Sequence, residues 1–131
     1  MDDNLYNIDL NMIGSIDVKP VTMVKFVTKG GKLSKPMSCL IDTGASKTLV
    51  AAHVSHFGKV KKTESMRFST DSDKITSTKQ VSMKFTLPEF SESKTICPSG
   101  LRVLPEGCDL PYDLILGRDL QRELKIGYVV A

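Results

Sequence analysis

A chain of 131 residues, 40% hydrophobic and 25% charged, has room for one compact domain with one core, and with no Trp and 6% aromatics that core must rest on Val, Ile, Leu and Met. The net charge of +3 describes a solvated surface with a small lysine excess. The densest basic run, Lys59-Val60-Lys61-Lys62, is short and followed by Glu64, so nucleic acid is not an expected partner. No apolar run nears the ~20 residues of a membrane helix, and the chain opens with Asp2-Asp3 rather than a basic leader, so an intracellular, cytoplasmic protein without a membrane partner is expected. Cys39, Cys97 and Cys108 show no CxxC spacing; a reducing setting is the simpler expectation, with a Cys97–Cys108 bridge left open.

In chain order, residues 1–20 scatter Ile and Leu among Asn and Asp and end at Pro20, as an arm or edge strand; the domain proper is expected over 21–131. Residues 21–27 alternate as a strand up to Gly30-Gly31, a hairpin signal, and 37–41 form the return strand. A short strand over 48–50 and a short helix over 51–57 follow, the helix stopped by Gly58 at its C′ position. Residues 59–68 are strand-compatible and 69–74 turn-prone. Val81, Met83, Phe85 and Leu87 alternate with polar residues as one half-buried strand closed by Pro88. Prolines and glycines make 89–111 loop-rich, with a short strand over 101–104. A buried strand over 112–117, a helix over 118–124 and a terminal strand over 126–130 complete the chain. Many short strands and little helix predict an all-β, barrel-like domain, with Met23, Met37, Met66 and Met83 filling its core.

Chemistry concentrates at Cys39-Leu40-Ile41-Asp42-Thr43-Gly44-Ala45-Ser46, where an apolar strand delivers a carboxylate into a tight turn. The peptide N–H groups of such a turn can orient the acid, and Gly44 lets another backbone approach closely. Strand-ending Asx turns are common, so this segment alone is compatible with a purely structural turn. A second feature decides: near the far end, Ile115-Leu116-Gly117-Arg118-Asp119 again runs an apolar strand into glycine and then a helix.

Together with Thr86-Leu87-Pro88-Glu89-Phe90, Tyr112-Asp113-Leu114 before Ile115 and Leu120 after Asp119, these segments resemble the protease domain of retroviruses and, more closely, of Gypsy-class long-terminal-repeat retrotransposons. The resemblance implies an all-β, closed, mostly antiparallel barrel-like retropepsin lobe with one short C-terminal helix, active as a C2 homodimer. A single Asp-Thr-Gly in a chain too short for two lobes points to a dimer independently, since a two-fold axis would supply both carboxylates from one sequence. By the resemblance Asp42 is catalytic, Thr43, Gly44 and Ala45 support it, and Gly117, Arg118 and Asp119 form a structural motif. A flap over 68–78, with Asp71, Ser72, Asp73, Lys74 and Ile75 about its tip, would cover an extended polypeptide.

The implied reaction is endopeptidase cleavage of a Gag-Pol-like polyprotein by a water held between two Asp42 side chains, in the cytoplasm or a virus-like particle. Aspartic proteases are themselves the standing example of carboxylates ~3 Å apart that share one proton and titrate as a unit. Two departures from the family stand out. The flap has no glycine between Gly58 and Gly100, and Ser46 stands where retroviral relatives often carry an Asp that pairs with the arginine of Gly-Arg. Two other functions fit the same segments: a cellular retropepsin-like domain of ubiquitin-shuttle type, and a protease-derived dimerisation or binding module without catalysis. No cofactor or metal is expected; His53 and His56 have a ligand-like spacing but no third ligand nearby, and read as surface histidines.

Overall fold

The computed structural model describes residues 20–42, 44–69, 74–91, 93–108 and 110–124. Among these residues eight strands form one sheet: β1 Val21–Phe26, β2 Met37–Ile41, β3 Leu49–Val50, β4 Lys59–Ser69, β5 Lys74–Ser82, β6 Phe85–Thr86, β7 Leu101–Val103 and β8 Leu114–Leu116. A 3-10 helix, Ala52–Phe57, follows β3, and α1, Arg118–Leu124, follows β8. The order across the sheet is β4-β5-β7-β3-β8-β2-β1-β6. β5 and β6 thus lie near opposite ends of that order yet are joined through Met83 and Lys84 alone. A sheet whose two ends meet across so short a step has to curl upon itself, which gives the barrel-like lobe expected from the sequence.

The break between β5 and β6 is where the structure departs from the single strand expected over 81–87. Val81, Met83, Phe85 and Leu87 are all buried, so the alternation is real, but the backbone changes partners midway. β5 pairs with β4 and β7, whereas Phe85 exchanges both backbone bonds with Ile96 and β6 pairs with β1. A period of two reports the burial face and is blind to which neighbour the ladder bonds.

Buried residues inside the curl include Val24, Phe26, Cys39, Ile41, Val50, Phe85, Leu114 and Leu116. Phe26 stacks on Phe57 at 5.4 Å and meets Phe85 edge-on at 6.2 Å. Each such fully buried side chain contributes about 1.5–3 kcal/mol relative to exposure. On the other face Leu40, Leu49, Ile75, Leu104 and Ile115 form a second cluster. β2, β3 and β8 contribute to both clusters, which is why they read as unbroken apolar runs rather than alternating ones. Two of the expected core methionines lie elsewhere. Met23 is 40% exposed because it shares the outward face of β1 with Val21, and Met66 is half-buried on the projecting β4.

The β1–β2 hairpin turns where expected, with Gly31 at φ 85 donating its N–H to the Thr28 carbonyl. Gly58 is required for another reason than the expected left-handed C′ position. Its φ is −123, and a Cβ there would lie 2.4 Å from the Ser82 carbonyl oxygen and 2.7 Å from the Met83 Cβ, so glycine permits close packing of β4 on β5. The Leu-Pro-Glu-Phe segment is a turn, in which the Phe90 N–H reaches the Leu87 carbonyl. It places Glu89 against the edge of β1 beyond the end of β6, where its carboxylate accepts from the Thr22 hydroxyl and the Met23 N–H. Those two donors, the hydroxyl first, hold the Glu89 carboxyl below its usual value.

None of the three cysteines is in a disulfide, so the Cys97–Cys108 bridge is not formed. Burial pushes the Cys39 thiol up to about 12 against a weaker opposing bond with the Leu116 backbone, so it is an inert core residue. No helix among the described residues is long and apolar enough to cross a membrane. The expected arm over 1–20, apart from Pro20, and the expected strand over 126–130 lie outside the described residues.

Candidate active site

Asp42 sits one residue past β2, and its N–H donates to the Leu116 carbonyl at 3.1 Å. β8 runs between β2 and β3, parallel to the first and antiparallel to the second, so the loop joining β2 to β3 must bridge over its end. That bridge is the Asp-Thr-Gly turn. Its carboxylate is oriented from below: Asp42 Oδ1 accepts the Gly44 N–H at 2.8 Å, and the Asp42 carbonyl accepts the Ala45 N–H. Thr43 lies outside the described residues.

The sequence motif around Gly117 closes on this turn. A Cβ on Gly117 would stand 2.5 Å from the carbonyl carbon and oxygen of Lys47 and 3.0 Å from the Ala45 oxygen. Arg118 contributes through its backbone, donating to the Ala45 carbonyl at 2.8 Å; its side chain is exposed and has no ion pair among the described residues. Asp119 makes the side-chain link between turn and helix. Its carboxylate accepts from the Thr48 hydroxyl at 2.7 Å and the Thr48 N–H at 3.2 Å, and the same hydroxyl oxygen accepts the Gly117 N–H at 3.0 Å.

Two positioning residues escaped the sequence reading. Thr48 is 1% exposed at the centre of that network. Gln121, also 1% exposed, donates its side-chain amide to the Leu116 carbonyl at 2.7 Å and the Asp42 carbonyl at 3.1 Å. It thereby holds the backbone of the acidic residue from the helix side. A polar residue between two leucines on a short helix looks like an ordinary solvent-facing position, and only its burial reveals the role.

Asp42 opens into a cleft of about 570 Å³ lined by Leu40, Leu49 and Ile115 together with Phe68, Ser69 and Ile75 from the β4–β5 hairpin. The hairpin expected as the flap therefore shares a cleft with the candidate acid. Lys74 begins β5 opposite Ser69, and Ile75 is buried against the second cluster. Asp71, Ser72 and Asp73 lie outside the described residues. A larger, more open depression of about 720 Å³, lined by Met23, Ser38 and His53 among others, lies apart from Asp42 and contains no part of the Asp-Thr-Gly turn.

The hairpin is rooted by a further residue that the sequence did not flag. In the backbone ladder β5 pairs with β7 at Lys79, Gln80 and Val81; beyond it Ser77 pairs with β4 and its hydroxyl donates to the Val103 carbonyl at 2.8 Å. The register of β4 shifts between Lys62 and Met66, and such a bulge leaves carbonyls without ladder partners. Arg102, 7% exposed on β7, extends Nη1 to the Glu64 carbonyl at 2.7 Å and towards the Ser77 carbonyl at 3.4 Å.

Asp113, at the head of β8, joins three elements. Its carboxylate accepts the Ser38 N–H at 3.0 Å and the Ser38 hydroxyl at 3.1 Å, and His53 Nε2 donates to it at 2.6 Å. Burial opposes its charge, but the Ser38 N–H, His53 and the Ser38 hydroxyl outweigh that effect and hold the carboxyl below its ordinary value. Because the folded value lies below the unfolded one, this carboxylate adds stability above the unfolded pKa and loses it as pH falls through the folded pKa. Asp113→Asn should accordingly lower the denaturation midpoint at neutral pH and change it little in strong acid. An equal loss at both would show that charge is not what matters. His56 Nδ1 bonds to the carbonyl of His53 within the 3-10 helix, and no group of three His, Cys, Asp or Glu among the described residues is placed to hold a metal ion.

A scan against protein-family models and a search of the curated proteins give no match. Among solved structures, the chain is similar to EIAV protease complexed with the inhibitor HBY-793, with a TM-score of 0.61 and 19% sequence identity over 97% of this chain and 100% of that one. At that identity the likeness establishes the fold, which is that of a retroviral protease lobe.

Proposed function

We propose that the chain is an aspartic endopeptidase of retrotransposon or retroviral type, acting as a homodimer on extended polypeptide such as a Gag-Pol-like polyprotein. The observation that carries this reading is the Asp42 carboxyl, held by the Gly44 N–H at the mouth of an apolar cleft on a retroviral-protease lobe. A water bound between two such groups would lose a proton to one carboxylate while the other, protonated, polarises the scissile carbonyl. Two like charges at that separation cannot both ionise, so one shared proton is the natural state of the pair. The apolar row Leu40, Leu49 and Ile115 supports an extended, largely apolar substrate segment. Family order favours the Gypsy-class relative, because the Leu-Pro-Glu-Phe and Tyr-Asp-Leu-Ile-Leu-Gly-Arg-Asp strings both occur. On this reading the protease domain spans 21–131, preceded by an arm over 1–20.

The test is a peptide-library digest between about pH 4 and 7, with and without a statine-type analogue that mimics the tetrahedral transition state. Cleavage abolished by the analogue is expected. Specific activity should also fall as the chain is diluted into its monomer range, because half a site has only one carboxylate. Constant specific activity where sedimentation shows monomer would overturn the dimeric site, and cleavage indifferent to the analogue would overturn the mechanism.

A further inference from the structure

The fold assembles a positive pole that the linear sequence disperses. A groove of about 450 Å³ runs between the turn of the β1–β2 hairpin and the start of β4. Lys29, Lys59 and Lys84 line it together with the half-buried Val27 and Phe57, above the buried Met83. These residues come from three separate stretches, and the backbone fixes them together. Lys59 lies opposite Ser82 in the β4–β5 ladder, and the Val27 N–H donates to the Lys84 carbonyl at 2.9 Å. Lys32 stands on the same turn as Lys29, and Lys61 follows Lys59 on the same face of β4.

No Asp or Glu occurs in 25–35, 57–63 or 82–86. Lys29, Lys32, Lys59, Lys61 and Lys84 are exposed, and none has an ion-pair partner among the described residues. In a chain whose net charge is only +3, this is a local excess that the overall balance conceals. The expectation against nucleic acid rested on one short run, 59–62, and could not count lysines brought in from elsewhere.

We propose that this groove binds the backbone of single-stranded nucleic acid, without sequence preference. Its shape selects the ligand. Lysines from three stretches set about the half-buried Val27 and Phe57 suit an extended chain carrying a charge at every unit and an apolar group beside it, as a nucleotide does. A bilayer would need a convex or flat surface, and an acidic peptide would leave the exposed parts of Val27 and Phe57 unused. Lysine ammonium groups act as point charges on phosphate, so the contact carries no base code. The site is separate from Asp42, whose cleft shares none of these residues.

The test is fluorescence anisotropy of a labelled single-stranded RNA of ~20 nucleotides, titrated with the full chain from about 50 to 200 mM salt. Three phosphate contacts predict a slope of log affinity against log salt of about −2 or steeper. The double variant Lys59→Gln/Lys84→Gln should reduce that slope by about 1.4 and weaken low-salt binding on the order of tenfold, with peptide cleavage unchanged. A charge-matched control, Lys94→Gln/Arg122→Gln, also at exposed positions, should bind as the parent does. Absence of RNA binding at low salt would overturn the proposal, as would equal weakening by both double variants. Binding of phosphatidylserine vesicles or polyglutamate that depends on Lys59 and Lys84 while RNA does not bind would assign the groove to another partner and refute it.

Discussion

Asp42→Asn is expected to remove peptide cleavage by on the order of ten-thousand-fold or more while the fold survives. The substitution keeps shape and the acceptor oxygen, so the Gly44 N–H can still be satisfied, and the half-buried position gains no unpaired group. In a symmetric dimer one change in sequence replaces both members of the pair. The water then lacks its base and the carbonyl its acid together, which is why the effect should exceed the loss of a single general acid. Cleavage of a fluorogenic peptide and the urea midpoint are the two measurements. A variant that cuts like its parent would refute the mechanism, and one that no longer folds would show that Asp42 is a structural turn residue.

The second large effect is on stability. Gly117→Ala should cost about 3 kcal/mol, at the upper end of what overpacking a tight site costs. The obstacles are the Lys47 carbonyl, 2.5 Å from the new Cβ, and the Ala45 oxygen at 3.0 Å, and backbone cannot step aside as a flexible side chain would. Relief requires the turn to move off the helix, which would also strain the bond from the Gly117 N–H to Thr48 and the one from Arg118 to Ala45. The urea midpoint should fall, and with it the activity, since the same turn carries Asp42. A variant as stable as its parent would mean that the close packing of turn on helix is not what this glycine serves.

These two positions also mark what the sequence could reveal. Asp42 and Gly117 were legible because each ends an apolar run at a change of backbone direction, and the strands around them were legible from their burial on both faces. Arg118 and Asp119 were legible as a pair, but their division of labour was not. The guanidinium is exposed while the carboxylate holds Thr48, a contact between residues at opposite ends of the chain that no local pattern encodes. Gln121 and Arg102 were invisible for a related reason. A polar side chain looks solvated until the tertiary fold covers it, and both spend their donors on backbone carbonyls, Gln121 at the turn and Arg102 at the bulge. The strand over 81–87 failed differently, because periodicity cannot tell one continuous ladder from two.

The root of the β4–β5 hairpin has a mechanical consequence. The hairpin is held along Lys79–Val81 by the ladder to β7, and beyond it the Ser77 hydroxyl donates to the Val103 carbonyl at 2.8 Å while Ile75 is buried in the second cluster. The bulge after Lys62 interrupts the ladder of the other strand, and the Arg102 guanidinium ties that strand to β7 through the Glu64 carbonyl. Such a mounting transmits load: a push on this end of the hairpin passes through Ile75 and Phe68 into the apolar cluster that lines the cleft beside Asp42.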